Sequence, residues 1–302
     1  MWIRPVLVAA LLTVTGALPT AAADTSGLVP IGGGRSLFLD CQGSGEPTVF
    51  VIPGKGSYVQ AWNAAIPPGD PARSSPYDVI EEAEPALSPA SAQPLGAAGT
   101  RICIYDRPDT RPDGADRSTP VRQPHHLTDD VDDVRKIIAA ANLPTPMVFV
   151  AHSYGALILD LLARTNPELV SGLVFSEPTS EFLLSVGRPD QNAAFNIDGM
   201  AIDPASPEAI LADDAFAQIA AAPPLPRVPA IVLSADKFAP PWVVKPDNYT
   251  LAQIHTANDL LAAALGTTNV IIPGTGHNQM LYQPRAVADQ ILAVVERVRD
   301  GN

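Results

Sequence analysis

The chain has 302 residues, 46% of them hydrophobic and 17% charged, which is enough apolar material for a buried core and far from the composition of a disordered segment. Its formal charge of −13 at pH 7, with no run of Lys or Arg, lacks the clustered positive surface that phosphate recognition needs, so no nucleic-acid partner is expected. Acidity beyond that speaks to solubility and not to a reaction.

At the start, Met1-Trp2-Ile3-Arg4 carries the only charge before Asp24, Val6 to Leu18 is apolar, and Thr20-Ala21-Ala22-Ala23 supplies small residues. That order is the pattern of a signal peptide over 1–23, cleaved after Ala23, with 24–302 secreted or held at the cell envelope. The apolar stretch is shorter than the roughly 20 residues that cross a bilayer, and no second long apolar segment follows. No membrane span is expected in the mature chain.

Leu28 to Ile31 and Arg35 to Cys41 flank Gly32-Gly33-Gly34 and read as two strands around a tight turn. Thr48 to Ile52 is a continuous apolar, β-branched run of the kind that is buried on both faces of a sheet. Arg101 to Tyr105, Met147 to Ala151, Leu169 to Phe175, Ala230 to Ser234 and Asn269 to Ile272 repeat it. A helix is expected from Thr128 as N-cap, with Val131, Val134, Ile138 and Ala141 on its apolar face. Its Asp129, Asp130, Asp132 and Asp133 read as a solvated, dipole-favoured helix start and not as a metal site. Further helices are expected over Leu251 to Leu265 and from Pro284 through Val298. Strands alternating with amphipathic helices imply a mainly parallel sheet covered on both faces, a three-layer α/β/α sandwich. Two stretches break the rhythm. Ala65 to Gly99 is rich in proline, and Pro178 to Arg227 is too long for a simple connection, so a cap over roughly 178–227 is expected to cover the site.

Ala151-His152-Ser153-Tyr154-Gly155 ends a strand and opens a helix-forming run, the context of a nucleophile elbow. A serine hydroxyl is a poor nucleophile until a base takes its proton, and the base must be oriented by a third group. His277, in Pro273-Gly274-Thr275-Gly276-His277 after the last strand, is the expected base, and Asp236, just after Ala230 to Ser234, is the expected acid. Glu177, after the strand ending at Phe175, is the rival acid. The oxyanion formed on attack needs preorganised N–H donors. One is expected from Tyr154, and a second from the glycine-bearing loop Pro53-Gly54-Lys55-Gly56-Ser57.

These segments resemble an α/β-hydrolase over roughly Leu28 to Arg299. The resemblance implies an eight-stranded sheet in which only the second strand is antiparallel, with the cap inserted after the sixth. It implies an oxyanion loop at Pro53-Gly54-Lys55, with the Lys55 N–H as donor, and acid and histidine positions at Asp236 and His277. Ile104-Tyr105-Asp106-Arg107-Pro108 and Arg117-Ser118-Thr119-Pro120-Val121 resemble segments of an exported branch of that family. The reaction so implied is hydrolysis of a small carboxylic ester, or an amide, by Ser153, with no cofactor and no metal. An aminopeptidase acting on short peptides, with Glu177 and Glu181 holding the substrate amine, and a hydrolase-fold binding protein without turnover are the competing readings. Phe182, at the start of the cap, is a candidate pocket residue beside Glu177. Export, joined to the strand order the resemblance implies, makes Cys41 and Cys103 candidates for a disulfide between neighbouring strands.

Overall fold

The computed structural model describes residues 24–65, 84–85, 91–110, 117–202, 207–237 and 244–301; the leader at 1–23 and most of the proline-rich stretch lie outside the described residues. One sheet contains β1 (Thr25–Gly32), β2 (Arg35–Gln42), β3 (Val49–Ile52), β4 (Ile102–Asp106), β5 (Met147–Ser153), β6 (Val170–Pro178), β7 (Ala230–Ala235) and β8 (Asn269–Ile272). Their spatial order is β1-β2-β4-β3-β5-β6-β7-β8. β2 pairs antiparallel with β1 and β4, and every pairing from β4 onward to β8 is parallel. The connections of the parallel pairs are helical, as crossovers between parallel strands require.

Side chains of the central strands alternate strictly between two cores. Phe50, Ile52, Cys103, Tyr105, Phe149, Ala151, Leu173, Phe175 and Val232 face one side, and Val49, Val51, Ile102, Ile104, Val148, Val150, Val174, Ile231 and Leu233 face the other. Both sets are buried, which is why these strands read as unbroken apolar runs and not as alternating ones. The first core is covered by α3 (Leu127–Ala140), α4 (Gly155–Thr165), α7 (Ala212–Ala221) and α8 (Leu251–Leu265). The second is covered by α1 (Val59–Asn63), α2 (Ala92–Ala97), α9 (Gln279–Tyr282) and α10 (Pro284–Arg299). α4 is buried from Gly155 through Ala163, because it is wedged between the sheet on one side and α3 and α7 on the other. Between β6 and β7 the chain forms α5 (Leu183–Val186), α6 (Pro189–Met200) and α7.

Two expectations for α3 need correction. Its N-cap is His126, whose backbone N–H donates to Asp129 Oδ2 at 3.0 Å, so Thr128 is already inside the helix. The acidic start is also not uniformly solvated. Asp130 and Asp133 are buried: Asp130 accepts from the Tyr154 hydroxyl at 2.7 Å and meets His125 Nε2 at 2.9 Å, while Asp133 pairs with Arg35. Positions 130 and 133 lie three apart on the face that also carries Val134 and Ile137, so helical geometry turns them inward whatever their charge.

Cys41 and Cys103 stand directly opposite one another on β2 and β4 and are joined by a disulfide, with Cα atoms 4.0 Å apart. Both are buried in the first core, and the register sets Cys103 level with Phe50 and Phe149, four residues before Ser153. The bond closes a loop with a sequence separation of 62, which includes the proline-rich stretch. Chain-entropy reasoning assigns such a closure about 4 kcal/mol. Replacing both residues by Ala, which avoids burying two unpartnered hydroxyls, should lower the unfolding free energy measured in urea by about that amount, with a lower midpoint, and leave turnover intact. An unchanged midpoint contradicts the structural role.

Candidate active site

β5 runs into α4 through Ser153, whose φ of +53° is a conformation that L residues with a side chain adopt only under constraint. The constraint is the approach of α4 to the end of β3. A Cβ on Gly155 would stand 2.3 Å from the carbonyl oxygen of Ile52 and 2.6 Å from that of Pro53, so only glycine lets the helix start there. On the other side the Ser153 carbonyl accepts from Thr179 N–H at 3.1 Å. Held between these contacts, Ser153 is half-buried with its hydroxyl off the carboxyl edge of the sheet, 2.9 Å from His277 Nε2.

When Ser153 donates to Nε2, the other ring nitrogen of His277 carries the proton and needs an acceptor. The carboxylate there is Glu177, with Oε2 3.5 Å from Nδ1. Glu177 is buried at the end of β6 with φ +43°, a second strained residue at this edge, and its Oε1 accepts from Ala235 N–H at 2.7 Å. The expected contact between Asp236 and His277 is therefore corrected. Asp236 is exposed, and its two oxygens accept from Gly274 N–H at 2.8 Å and Thr275 N–H at 2.9 Å. It fastens the loop that carries His277 and leaves the imidazole to Glu177.

His152, the neighbour of Ser153, turns to the opposite side and is buried. Its Nε2 lies 2.8 Å from the His277 carbonyl oxygen and donates to it, which ties the elbow to the histidine loop by a second link. Burial, reinforced by the nearby His277 ring at 4.8 Å, holds its pKa down to about 3, so it stays neutral.

The loop Pro53-Gly54-Lys55-Gly56 lies against the elbow. A Cβ on Gly54 would come within 2.9 Å of Ser153 Cβ and 2.7 Å of His152 Nδ1. The Lys55 ammonium donates to the carbonyls of Gly199 at 3.2 Å and Ala201 at 3.3 Å, at the end of α6. Tyr154, which follows Ser153, has its ring buried and its hydroxyl on Asp130. Phe182 is half-buried against the first core and a small cluster of Leu183 and Tyr249. Glu181 is held by Arg164 at 3.0 Å, away from Glu177's partners. His125, His126 and His255 are engaged with Asp130, Asp214 and the Ala235 carbonyl, outside the Ser153 contact. Among the described residues no cluster of potential metal ligands occurs. Two buried residues near the site carry no local signal of a role in the sequence: Glu208, a lone Glu between Pro207 and Ala209, and Arg107, which stands in Ile104-Tyr105-Asp106-Arg107-Pro108.

A family model for the alpha/beta hydrolase family matches residues 49–290. No curated protein matches the chain in sequence. Among solved structures, a putative lipase from Acinetobacter baumannii AYE superposes with a TM-score of 0.60 at 16% identity, over 93% of this chain and 93% of that one. A serine hydrolase involved in carbazole degradation gives 0.56 at 17%, over 91% and 99%. A carboxylesterase from Bacillus subtilis gives 0.53 at 13%, over 90% and 92%. At these identities the likeness is one of fold.

Because folded His152 takes up its proton only near pH 3 and an unfolded histidine near 6.5, the unfolded chain binds more protons between those values. The contribution of His152 to stability should therefore be whole above pH 6.5 and fall by about 1.4 kcal/mol per pH unit on acidification through that window, while Asp160, whose pKa burial raises to about 7, contributes with the opposite sign. In urea titrations from pH 7 to 4 the stability of the parent minus that of His152→Gln, whose amide keeps a donor for the His277 carbonyl, should show this slope, since the other titrating groups are common to both. Equal slopes in both proteins would contradict the assignment.

Proposed function

The chain belongs to the α/β hydrolase family, and from that premise we propose that it is an exported serine hydrolase that cleaves small carboxylic esters through an acyl-enzyme on Ser153. The observation that carries the reading is the 2.9 Å contact of Ser153 Oγ with His277 Nε2 on an elbow at φ +53°. His277 takes the hydroxyl proton as Ser153 attacks the acyl carbon, then gives it to the departing alcohol; water repeats the sequence in reverse to free the acid. Glu177 is the acid of the triad, holding the tautomer and stabilising the imidazolium. Its 3.5 Å separation from Nδ1 is of the length that tightens when substrate and positive charge arrive. Tyr154 N–H and Lys55 N–H are the donors to the oxyanion.

The aminopeptidase reading needs free carboxylates beside the serine, and both candidates are occupied: Glu177 with His277 and Ala235, Glu181 with Arg164. The helices α5, α6 and α7, with Phe182 at their start, make up the cap to which we assign substrate choice. The Cys41–Cys103 disulfide supports export, since such bonds persist in oxidising compartments.

A fluorophosphonate should label residue 153 in the parent and not in Ser153→Ala, and p-nitrophenyl ester turnover should fall by several orders of magnitude in Ser153→Ala and His277→Ala. An unlabelled parent that releases no nitrophenol would instead be a hydrolase-fold binder. Glu177→Gln should lower kcat by about 10³ to 10⁴, as expected when the acid of a triad is made neutral. Asp236→Asn keeps one acceptor for the histidine loop and should retain most of the turnover. The reverse ranking of those two variants would return the acid role to Asp236.

A further inference from the structure

Arg107, the residue after β4, and Glu208, in the chain leading into α7, form an ion pair whose side chains are 1% and 0% exposed. The pair is bidentate, with Nε on Oε1 at 2.7 Å and Nη2 on Oε2 at 3.0 Å. Among the described residues the other side-chain hydrogen bonds of the pair go to one loop. Arg107 Nη1 donates to the Pro53 carbonyl, Nη2 donates to the Gly54 carbonyl, and Gly56 N–H donates to Glu208 Oε2 at 3.0 Å. The guanidinium plane also lies against the Tyr154 ring, with Cζ 5.4 Å from its centroid.

Burying two charges is costly, and an apolar pair would fill the space as well. What an apolar pair would not do is orient peptides. In a planar trans peptide the carbonyl and the following N–H point to opposite sides. With the Gly54 carbonyl held on Arg107, the Lys55 N–H is turned away from the guanidinium, while Gly54 itself is pressed against Ser153 Cβ and His152. A planar fork reaches two successive carbonyls and a carboxylate at once; a lysine ammonium is a point charge and lacks that geometry.

We propose that Arg107, braced by Glu208, is a positioning residue that aims the Lys55 N–H into the oxyanion hole, so that the segment between β6 and β7 helps build the hole as well as cover it. This rests on the acyl-enzyme reading above. Arg107→Lys and the charge-free pair Arg107→Met/Glu208→Leu, which leaves no unpaired buried charge, are compared with the parent. Loss of one oxyanion donor predicts a kcat lower by on the order of 10²-fold with KM nearly unchanged, and an equal loss of affinity for an alkyl boronic acid that forms a tetrahedral adduct on Ser153. A folded variant of either kind that keeps the parent's kcat and boronate affinity overturns the proposal. In the unsubstituted protein the Lys55 amide resonance should move downfield when the boronate adduct forms; a Lys55 resonance that stays put overturns it without relying on any variant. A parent that takes no fluorophosphonate and shows no turnover removes the acyl-enzyme reading and this proposal with it, whereas a labelled, active parent beside fully active variants removes only the positioning role.

Discussion

At Ser153 the chain passes from an extended strand to a helix within one residue, and it does so because α4 starts almost in contact with the carbonyls of Ile52 and Pro53. That contact permits no side chain at Gly155 and leaves Ser153 at φ +53°. Strain of this kind costs on the order of 1–3 kcal/mol and persists only where the surroundings over-determine it. Here they do: α4 is buried from Gly155 through Ala163, β5 is paired on both sides, and the loop after β3 closes over the elbow with Gly54 at van der Waals limits. The reach of the Ser153 hydroxyl to His277, the packing of His152 and the placing of the Tyr154 backbone all follow from that one turn.

The two carboxylates near His277 divide the work by position. Glu177 is buried and ends β6, where a positive φ directs its side chain across the edge toward the imidazole. Asp236 is exposed, one residue beyond β7, and accepts two successive backbone N–H groups of the loop that follows β8. The hydrogen bonds described for Asp236 go to that loop, and the carboxylate that stands at His277 Nδ1 is Glu177. β6 and β7 are neighbours in the sheet, so the swap takes one strand's width and leaves the histidine loop where it is.

A similar division appears behind the loop Pro53 to Gly56. Asp106 accepts from Val59 N–H at 2.9 Å and from Arg117 Nε at 2.7 Å, and Ser118 bridges the Asp106 carbonyl to Phe38 N–H. The Asp106-Arg107 step thus serves two sides of the β4 exit, with the aspartate securing α1 and β2 and the arginine securing Pro53 and Gly54 directly and Gly56 through Glu208. Buried networks of this sort rigidify only when their members are satisfied, and Arg107 and Glu208 each have several partners.

Read alone, the sequence determined the central strands, because doubly buried strands are continuous apolar runs, and it determined α8 and α10, because a helix that covers one face of a sheet repeats its apolar residues at helical spacing. It also made Ser153 and His277 legible as a pair, through the small residues around the elbow and the position of the histidine after the last strand. Tertiary structure alone decided which acid meets His277, since Glu177 and Asp236 both follow strands at the same edge and chain order carries no information on side-chain direction. It alone decided that Asp130 and Asp133 are buried partners and not a solvated helix start, and that Glu208 joins Arg107 across a sequence separation of 101. Local pattern reports what a residue does to its own strand or helix, whereas a buried charge is placed by a partner that lies far away in sequence and near only after the sheet has closed.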